Sequence, residues 1–224
     1  MAKKKKRVFK IKNICILLGI LILIIGTIYY IVTMPIKNIN IKGNKIVSDD
    51  EILESANLYQ YPSFLLTQRS KLKKDIKKNP YIKSINISKR LGNRIEITIQ
   101  EYQPLAINEE DKIIIETGEY LDNTYNLTDV PILINKISSK EIYINFTKKF
   151  SGINHNILRQ ISQIEYSPVE VDEDRFLIYM NDGNLVYITL TKIDKLNKYN
   201  KIKATLEGRN GTIYLDSGNY VELK

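Results

Sequence analysis

The sequence predicts an α+β chain in three parts: an N-terminal transmembrane helix, a small β-α-α-β-β domain, and a mostly antiparallel β domain with two helical segments. Three observations carry this prediction. Ile14 to Val32 runs nineteen residues without a charge. Residues 36–99 alternate strand-like and helix-like apolar spacing around a capping box at Ser48. Beyond residue 108, short alternating runs are separated by turn residues, of which Asp182-Gly183 is the strongest hairpin signal. The expected divisions are a basic tail over 1–13, the span over 14–32, a first domain over 35–104 and a second over 105–224.

The apolar run forms a helix about 29 Å long at about 1.5 Å per residue, matching the hydrocarbon thickness of a bilayer. Residues 1–32 hold seven Lys/Arg and no acid, all seven N-terminal to the run. The positive-inside bias therefore keeps the tail in the cytoplasm and puts residues 35–224 outside, a single-pass type II arrangement. Tyr29 and Tyr30 stand at the outer interface. A cleaved signal peptide would have a shorter apolar region and a small-residue cleavage site, whereas this one ends in Tyr-Tyr-Ile-Val-Thr-Met-Pro. An uncleaved anchor is the better fit. Cys15 falls at the cytoplasmic end of the span, either as an inert thiol or as a palmitoylation site.

Composition removes other classes. With 43% apolar and 26% charged residues, the chain can build a core, which excludes disordered and collagen-like types. One cysteine and one histidine exclude a disulfide framework and any multi-Cys metal site. The net charge of +9 divides into +7 over 1–32, +6 over 33–107 and −4 over 108–224. The exported part also lacks the aromatic-rich basic stripe of a nucleic-acid binder, so none is expected as a partner. Sequons at Asn86, Asn126, Asn145 and Asn210, two of them in expected strands, fit a chain that meets no glycosylation machinery. With the heavy use of Ile, Lys and Asn, they point to a bacterium with an AT-rich genome.

In the first domain, Ile36, Ile39 and Ile41 mark a strand ending at Gly43-Asn44. Ser48-x-x-Glu51 opens a helix whose buried stripe is Ile52, Leu53 and Ala56, with Asp49 and Asp50 at its positive end. A second helix is expected over 67–78, with Leu65, Arg69, Leu72 and Ile76 along one face, until Asn79-Pro80 stops it. Strands with Ile85 and Ile87, then Ile95, Ile97 and Ile99, follow around Leu91-Gly92-Asn93.

In the second domain, strands are expected over 112–116, 120–122, 130–134, 175–180, 185–190, 212–216 and 220–223. Ile153, Ile157 and Ile161 mark a helix face, and a basic amphipathic helix runs over 194–207 with Leu196, Tyr199, Ile202 and Leu206 inward.

These residues carry a family likeness. Ile39 to Asn44 with Ser48, Glu51 and Ile52, then Asn79 to Ile85, then Arg90 to Arg94 with Glu101 and Pro104, resemble an FtsQ-type POTRA domain. Gly92-Asn93 stands where the family commonly has Pro-Asn, and Tyr102-Gln103 replaces the usual Glu-Arg or Glu-Lys before the proline. Asp182-Gly183, the Lys195 helix and Gly211 to Asp216 resemble the C-terminal β domain of the same FtsQ/DivIB family. The likeness covers nearly the whole chain.

No catalytic constellation stands out. His155, between Asn154 and Asn156, reads as a solvated helix-end residue. Glu109-Glu110-Asp111 and Asp172-Glu173-Asp174 read as solvated connections, and no glycine pattern cradles phosphate. No cofactor or metal is expected, and no enzyme. The resemblance implies a non-enzymatic scaffold of bacterial cell division at the septum. Its C-terminal edge would take FtsB/DivIC-like and FtsL-like bitopic partners by strand addition, linking them to FtsW and its septal transpeptidase. It implies a partner edge on Tyr214, Leu215, Asp216, Ser217, Tyr220 and Glu222, although Tyr214 and Leu215 could equally pack the core. Lys71, Lys73, Lys74, Lys77 and Lys78 form a basic surface on the first domain, either for another division protein or as a solvated helix face near anionic lipid or wall polymer. The alternatives are a wall-polymer binder or enzyme using the acidic clusters, and a chaperone of POTRA type serving an outer-membrane barrel.

Overall fold

The computed structural model describes residues 11–223 and divides into two compact units, Met1–Glu101 and Tyr102–Lys224. The basic tail's Lys3 to Lys10 lie outside the described residues.

The first unit begins with α1 (Ile11–Thr33), which extends the uncharged run by three residues at its start and one at its end and is exposed along its length. It is long and apolar enough to cross a membrane. Then come β1 (Asn38–Lys42), α2 (Asp49–Ser55), α3 (Arg69–Ile76), β2 (Ile82–Arg90) and β3 (Arg94–Glu101). The sheet order is β1-β3-β2, with β1 parallel and β2 antiparallel to β3. Ile52 of α2, Leu72 and Ile76 of α3, and Ile85, Ile87, Ile95, Ile97 and Ile99 of the strands are all buried. Ser48 caps α2, its Oγ accepting the Glu51 amide at 3.2 Å.

Gly43 sits at φ +90°, and a Cβ there would meet the Ile99 carbonyl oxygen at 2.2 Å, so only glycine lets β1 leave the sheet beside β3. The Glu101 carboxylate accepts the successive amides of Lys45, Ile46 and Val47 at 2.9–3.1 Å, fastening the end of β3 to the loop that enters α2. Leu65, expected on the α3 face, is instead exposed in the loop before it.

The second unit carries β4 (Pro104–Ile107), β5 (Lys112–Ile115), β6 (Tyr120–Asp122), β7 (Ile132–Leu133), α4 (Lys140–Phe150), α5 (His155–Leu158), β8 (Ile161–Tyr166), β9 (Arg175–Met180) and β10 (Leu185–Thr189). A 3₁₀ helix (Leu190–Lys198), α6 (Tyr199–Ala204), β11 (Gly211–Tyr214) and β12 (Tyr220–Leu223) complete it. One nine-stranded sheet runs β12-β11-β10-β9-β8-β7-β4-β5-β6. Most pairs are antiparallel; β10·β11, β4·β7 and β7·β8 are parallel. Phe146 and Phe150 of α4, with Leu190, Ile193 and Leu196 of the 3₁₀ helix, cover one face against Phe176, Ile178, Val186, Ile188 and Ile213. Pro104 opens β4, so the units divide three residues before the expected 104/105 boundary.

Three local expectations change. Ile153, Ile157 and Ile161 do not share a helix: Ile153 lies in a turn, Ile157 in the four-residue α5, and Ile161 begins β8. All three are buried because they converge on the same core from different elements, which the four-residue spacing imitates. The basic helix over 194–207 is a 3₁₀ helix followed by α6, and it ends at Ala204. Of the four sequons, Asn86 alone lies in a strand, while Asn145 lies on α4.

Candidate functional site

The terminal strand β12 is the outermost of the nine-stranded sheet and pairs with β11 alone among the described residues, from Gly211↔Leu223 to Tyr214↔Tyr220. Its other margin therefore offers unpaired backbone groups. Strand alternation sends Ile213 and Leu215 into the core and Tyr214 to the opposite face.

On that opposite face an aromatic ladder crosses four strands. Tyr220 stacks on Tyr214 at 4.6 Å and 12°, Tyr214 on Tyr187 of β10 at 5.4 Å and 20°, and the Arg175 guanidinium of β9 lies 3.9 Å above the Tyr187 ring. Arg175 also donates from Nε to Asp216 Oδ2 at 2.7 Å, both side chains being largely buried. The ladder thus ends in an ion pair that grips the turn joining β11 to β12. Lys192 Nζ donates to the Asp216 carbonyl, and Lys195 Nζ donates to Asn219 Oδ1 at 2.9 Å, so the 3₁₀ helix holds the same turn.

The six residues expected at the partner edge separate by role. Tyr220 (48% exposed), Glu222 and Ser217 lie at the surface, and Tyr214 is half-buried in the stack with its hydroxyl donating to Glu222 Oε2 at 3.1 Å. Leu215 and Asp216 are buried, as core and as structural carboxylate. Arg175, Tyr187 and Lys192 escaped sequence reasoning as supports of this edge. For Arg175 and Tyr187 the only local signal is the outward phase of alternating strands, which does not reveal strand order, and Lys192, on the 3₁₀ helix, carries no strand signal at all.

Burial alone would raise the Asp216 pKa, but the Arg175 guanidinium and the Ser217 amide and hydroxyl outweigh it and hold the carboxyl below the ordinary aspartate range. Asp182 behaves likewise: burial opposes its ionisation, while Lys203, the Tyr199 hydroxyl and the Asn184 amide favour it more strongly. The hydrogen bond to Glu165 pushes the Tyr179 phenol up to about 12, and Glu222 raises that of Tyr214.

The two aspartates set an acid limit. Each has a folded-state pKa below its unfolded value of about 3.9. Their contribution is complete above that value and drains away as pH falls through the folded-state pKa. Urea midpoints of the full chain in detergent, taken from pH 6 to pH 3, should fall for the transition of the second unit. The Asp216→Asn variant should start lower and fall less steeply.

The five lysines of the basic surface, Lys71, Lys73, Lys74, Lys77 and Lys78, are all exposed on or just after α3. Lys77 Nζ donates to the carbonyls of Ile82 and Lys83, and Lys78 pairs with Asp75 at 2.8 Å, so two of the five are engaged within the unit.

The acidic clusters stand apart in their contacts. Glu109 and Glu110 border a cleft of about 560 Å³ with Lys112, Tyr120 and Tyr143, and Asp172 to Asp174 do not border it. Asp174 instead accepts the Thr191 amide. Among the described residues, no three His, Cys, Asp or Glu side chains are grouped to hold a metal ion.

An apolar anchor followed by a β-α-α-β-β unit and an open-edged sheet defines the class: residues 34–102 match the family model of the POTRA domain, FtsQ-type. Over the whole chain the similarity is to Cell division protein DivIB. That of Bacillus subtilis (strain 168) is 30% identical over 227 residues, covering 98% of this chain and 86% of that protein. That of Bacillus anthracis is 29% identical with the same coverage, and that of Listeria monocytogenes 26% identical, covering 98% of this chain and 85% of that protein. A solved structure of the major extracytoplasmic domain of the trans isomer of DivIB from Geobacillus stearothermophilus is 27% identical, with a TM-score of 0.40, covering 48% of this chain and 96% of that chain. The chain belongs to the FtsQ/DivIB family of bacterial cell division proteins and is membrane-anchored.

Proposed function

We propose that this division protein is a non-enzymatic adaptor, with its basic tail in the cytoplasm and both folded units outside at the septum. On this reading an extended segment of an FtsB/DivIC-like partner, with its FtsL-like companion, adds to the free margin of β12. The complex is thereby joined to FtsW and the septal transpeptidase. The observation that carries the proposal is the position of β12 at the end of the sheet, bonded on one side only among the described residues. Backbone bonding at such an edge supplies affinity, and the Tyr214–Tyr220 stack with Glu222 supplies side-chain selectivity. Leu215 and Asp216 take part as supports behind the edge, and Ser217 as its exposed corner.

The wall-polymer alternative needs both acidic clusters in one cleft, and the cleft beside Glu109 and Glu110 excludes the other cluster from its lining.

A proline scan over Tyr220, Val221 and Glu222 tests the proposal with the full chain and its two bitopic partners. Alternate positions of an edge strand aim their amides inward and outward. Proline at an outward amide should leave the unfolding midpoint of the second unit unchanged while weakening partner capture at least about tenfold, the equivalent of about 1.4 kcal/mol. Full capture by every stably folded proline variant would overturn the proposal.

A further inference from the structure

Two loops of the first unit are fastened to the chain just as it leaves the span. In the loop before α3, Ser63 Oγ donates to the Val32 carbonyl, Phe64 N donates to the Met34 carbonyl at 2.9 Å, and Ile36 N donates to the Pro62 carbonyl at 3.0 Å. Pro35 and Ser63 also form an isolated antiparallel bridge. The β2–β3 turn is tied to the same stretch, since Lys37 N donates to the Asn93 carbonyl at 2.8 Å and Asn93 Nδ2 donates to the Pro35 carbonyl at 3.1 Å. Every attachment point lies within residues 32–37, and α1 ends at Thr33. An extended chain advances at most about 3.6 Å per residue, so both loops are anchored within about 15 Å of the end of the span. They must therefore stand at the outer surface of whatever bilayer α1 crosses.

What these loops present fits that position. Tyr61 (48%), Leu65 (51%), Leu66 (66%) and Leu91 (93%) are exposed together at this one end of the unit. Single exposed apolar side chains are ordinary, but four on two loops pinned beside a span are a patch. Cations surround them. Lys37, Arg69, Arg90 and Arg94 are exposed, and Arg90 pairs with Glu96 at 2.8 Å. Two further contacts brace the tips. Lys89 Nζ donates to the Phe64 carbonyl and lies 4.8 Å over the Phe64 ring, and Arg94 Nε donates to the Leu91 carbonyl at 3.2 Å.

We propose that Tyr61, Leu65, Leu66 and Leu91 form a membrane-docking surface that enters the outer interface of the bilayer holding α1, with Lys37, Arg69 and Arg94 meeting anionic headgroups. Apolar tips with a basic rim are the combination that binds the plane of an anionic interface. The first unit is then held to the bilayer at three places, the span and two loops, rather than swinging on a single stalk.

The chain contains no tryptophan, so single-tryptophan reporters are clean. Leu66→Trp and Leu91→Trp are made at exposed positions, with Lys83→Trp as control. Lys83 lies seven residues before Arg90 on β2, about 23 Å away at about 3.3 Å per residue. Full-length variants are reconstituted into phosphatidylcholine vesicles with brominated acyl chains, with and without an equal part of phosphatidylglycerol. The emission of the 66 and 91 reporters should be quenched and that of the 83 reporter should not, with quenching greater in the anionic vesicles. Quenching at 66 and 91 no greater than at 83 overturns the proposal and assigns the patch to a protein partner. Equal quenching in both lipid mixtures overturns the headgroup contact of the cations.

Discussion

Asp216→Ala should destabilise the second unit by about 3 kcal/mol, because it leaves the Arg175 guanidinium largely buried without its carboxylate. The loss reaches further than one ion pair. Asp216 also accepts the Ser217 amide at 2.7 Å and starts the turn that returns the chain into β12. Arg175 is held over Tyr187, the inner end of the stack that reaches Tyr220. Removing the carboxylate therefore frees both the turn and the ladder. Urea unfolding of the full chain should show the loss in the transition of the second unit, and amide exchange should rise first over residues 216–223. Asp216→Ala combined with Arg175→Met should recover part of the stability, since an apolar replacement removes the uncompensated charge. An unchanged midpoint for Asp216→Ala would mean that the pair contributes nothing to this corner.

Gly211→Ala is expected to dislodge β12 with less cost to the rest of the fold. A Cβ at Gly211 would lie 2.4 Å from the Glu222 carbonyl oxygen and 3.1 Å from Val221 Cγ1. One of the two strands must yield. β11 is held from the other side: the Gly211 amide donates to Asn184 Oδ1 at 2.9 Å, and Asn184, itself buried, donates to Tyr199 Oη and Asp182 Oδ1. The outer strand is therefore the one that moves. The expected cost is about 1–3 kcal/mol, typical of overpacking. The accompanying result is lost protection over Tyr220 to Leu223 while the core of β8 to β10 stays protected and, under the proposed function, lost capture of the FtsB/DivIC-like and FtsL-like partners. Retained partner binding with β12 displaced would separate the partner site from this edge.

Local features were legible wherever one element's own residues decide its form. The uncharged run from Ile14 to Val32 reappears inside α1, the Ser48 cap is made by the Glu51 amide, and Arg175–Met180 and Tyr220–Leu223 are strands at the expected bounds. Helix α4 shows the opposite case. Its Tyr143, Phe146 and Phe150 follow helical spacing behind a Ser139 cap, yet Ile, Asn and Thr weaken its intrinsic propensity, and its stability comes from Phe146 and Phe150 packing on Phe176.

The candidate edge divides along the same line. That the chain closes with a short hairpin follows from alternation on either side of Ser217-Gly218-Asn219, because strand and turn preferences act over a few residues. That this hairpin joins β10 in parallel and ends a nine-stranded sheet does not, because strand order is set by burial shared among segments far apart in the chain. The same holds for Asp216 and Arg175, forty-one residues apart, whose pairing turns a surface-looking turn residue into a buried support. Periodicity marks which side of a strand is apolar; the neighbour on that side is selected by the packed core as a whole.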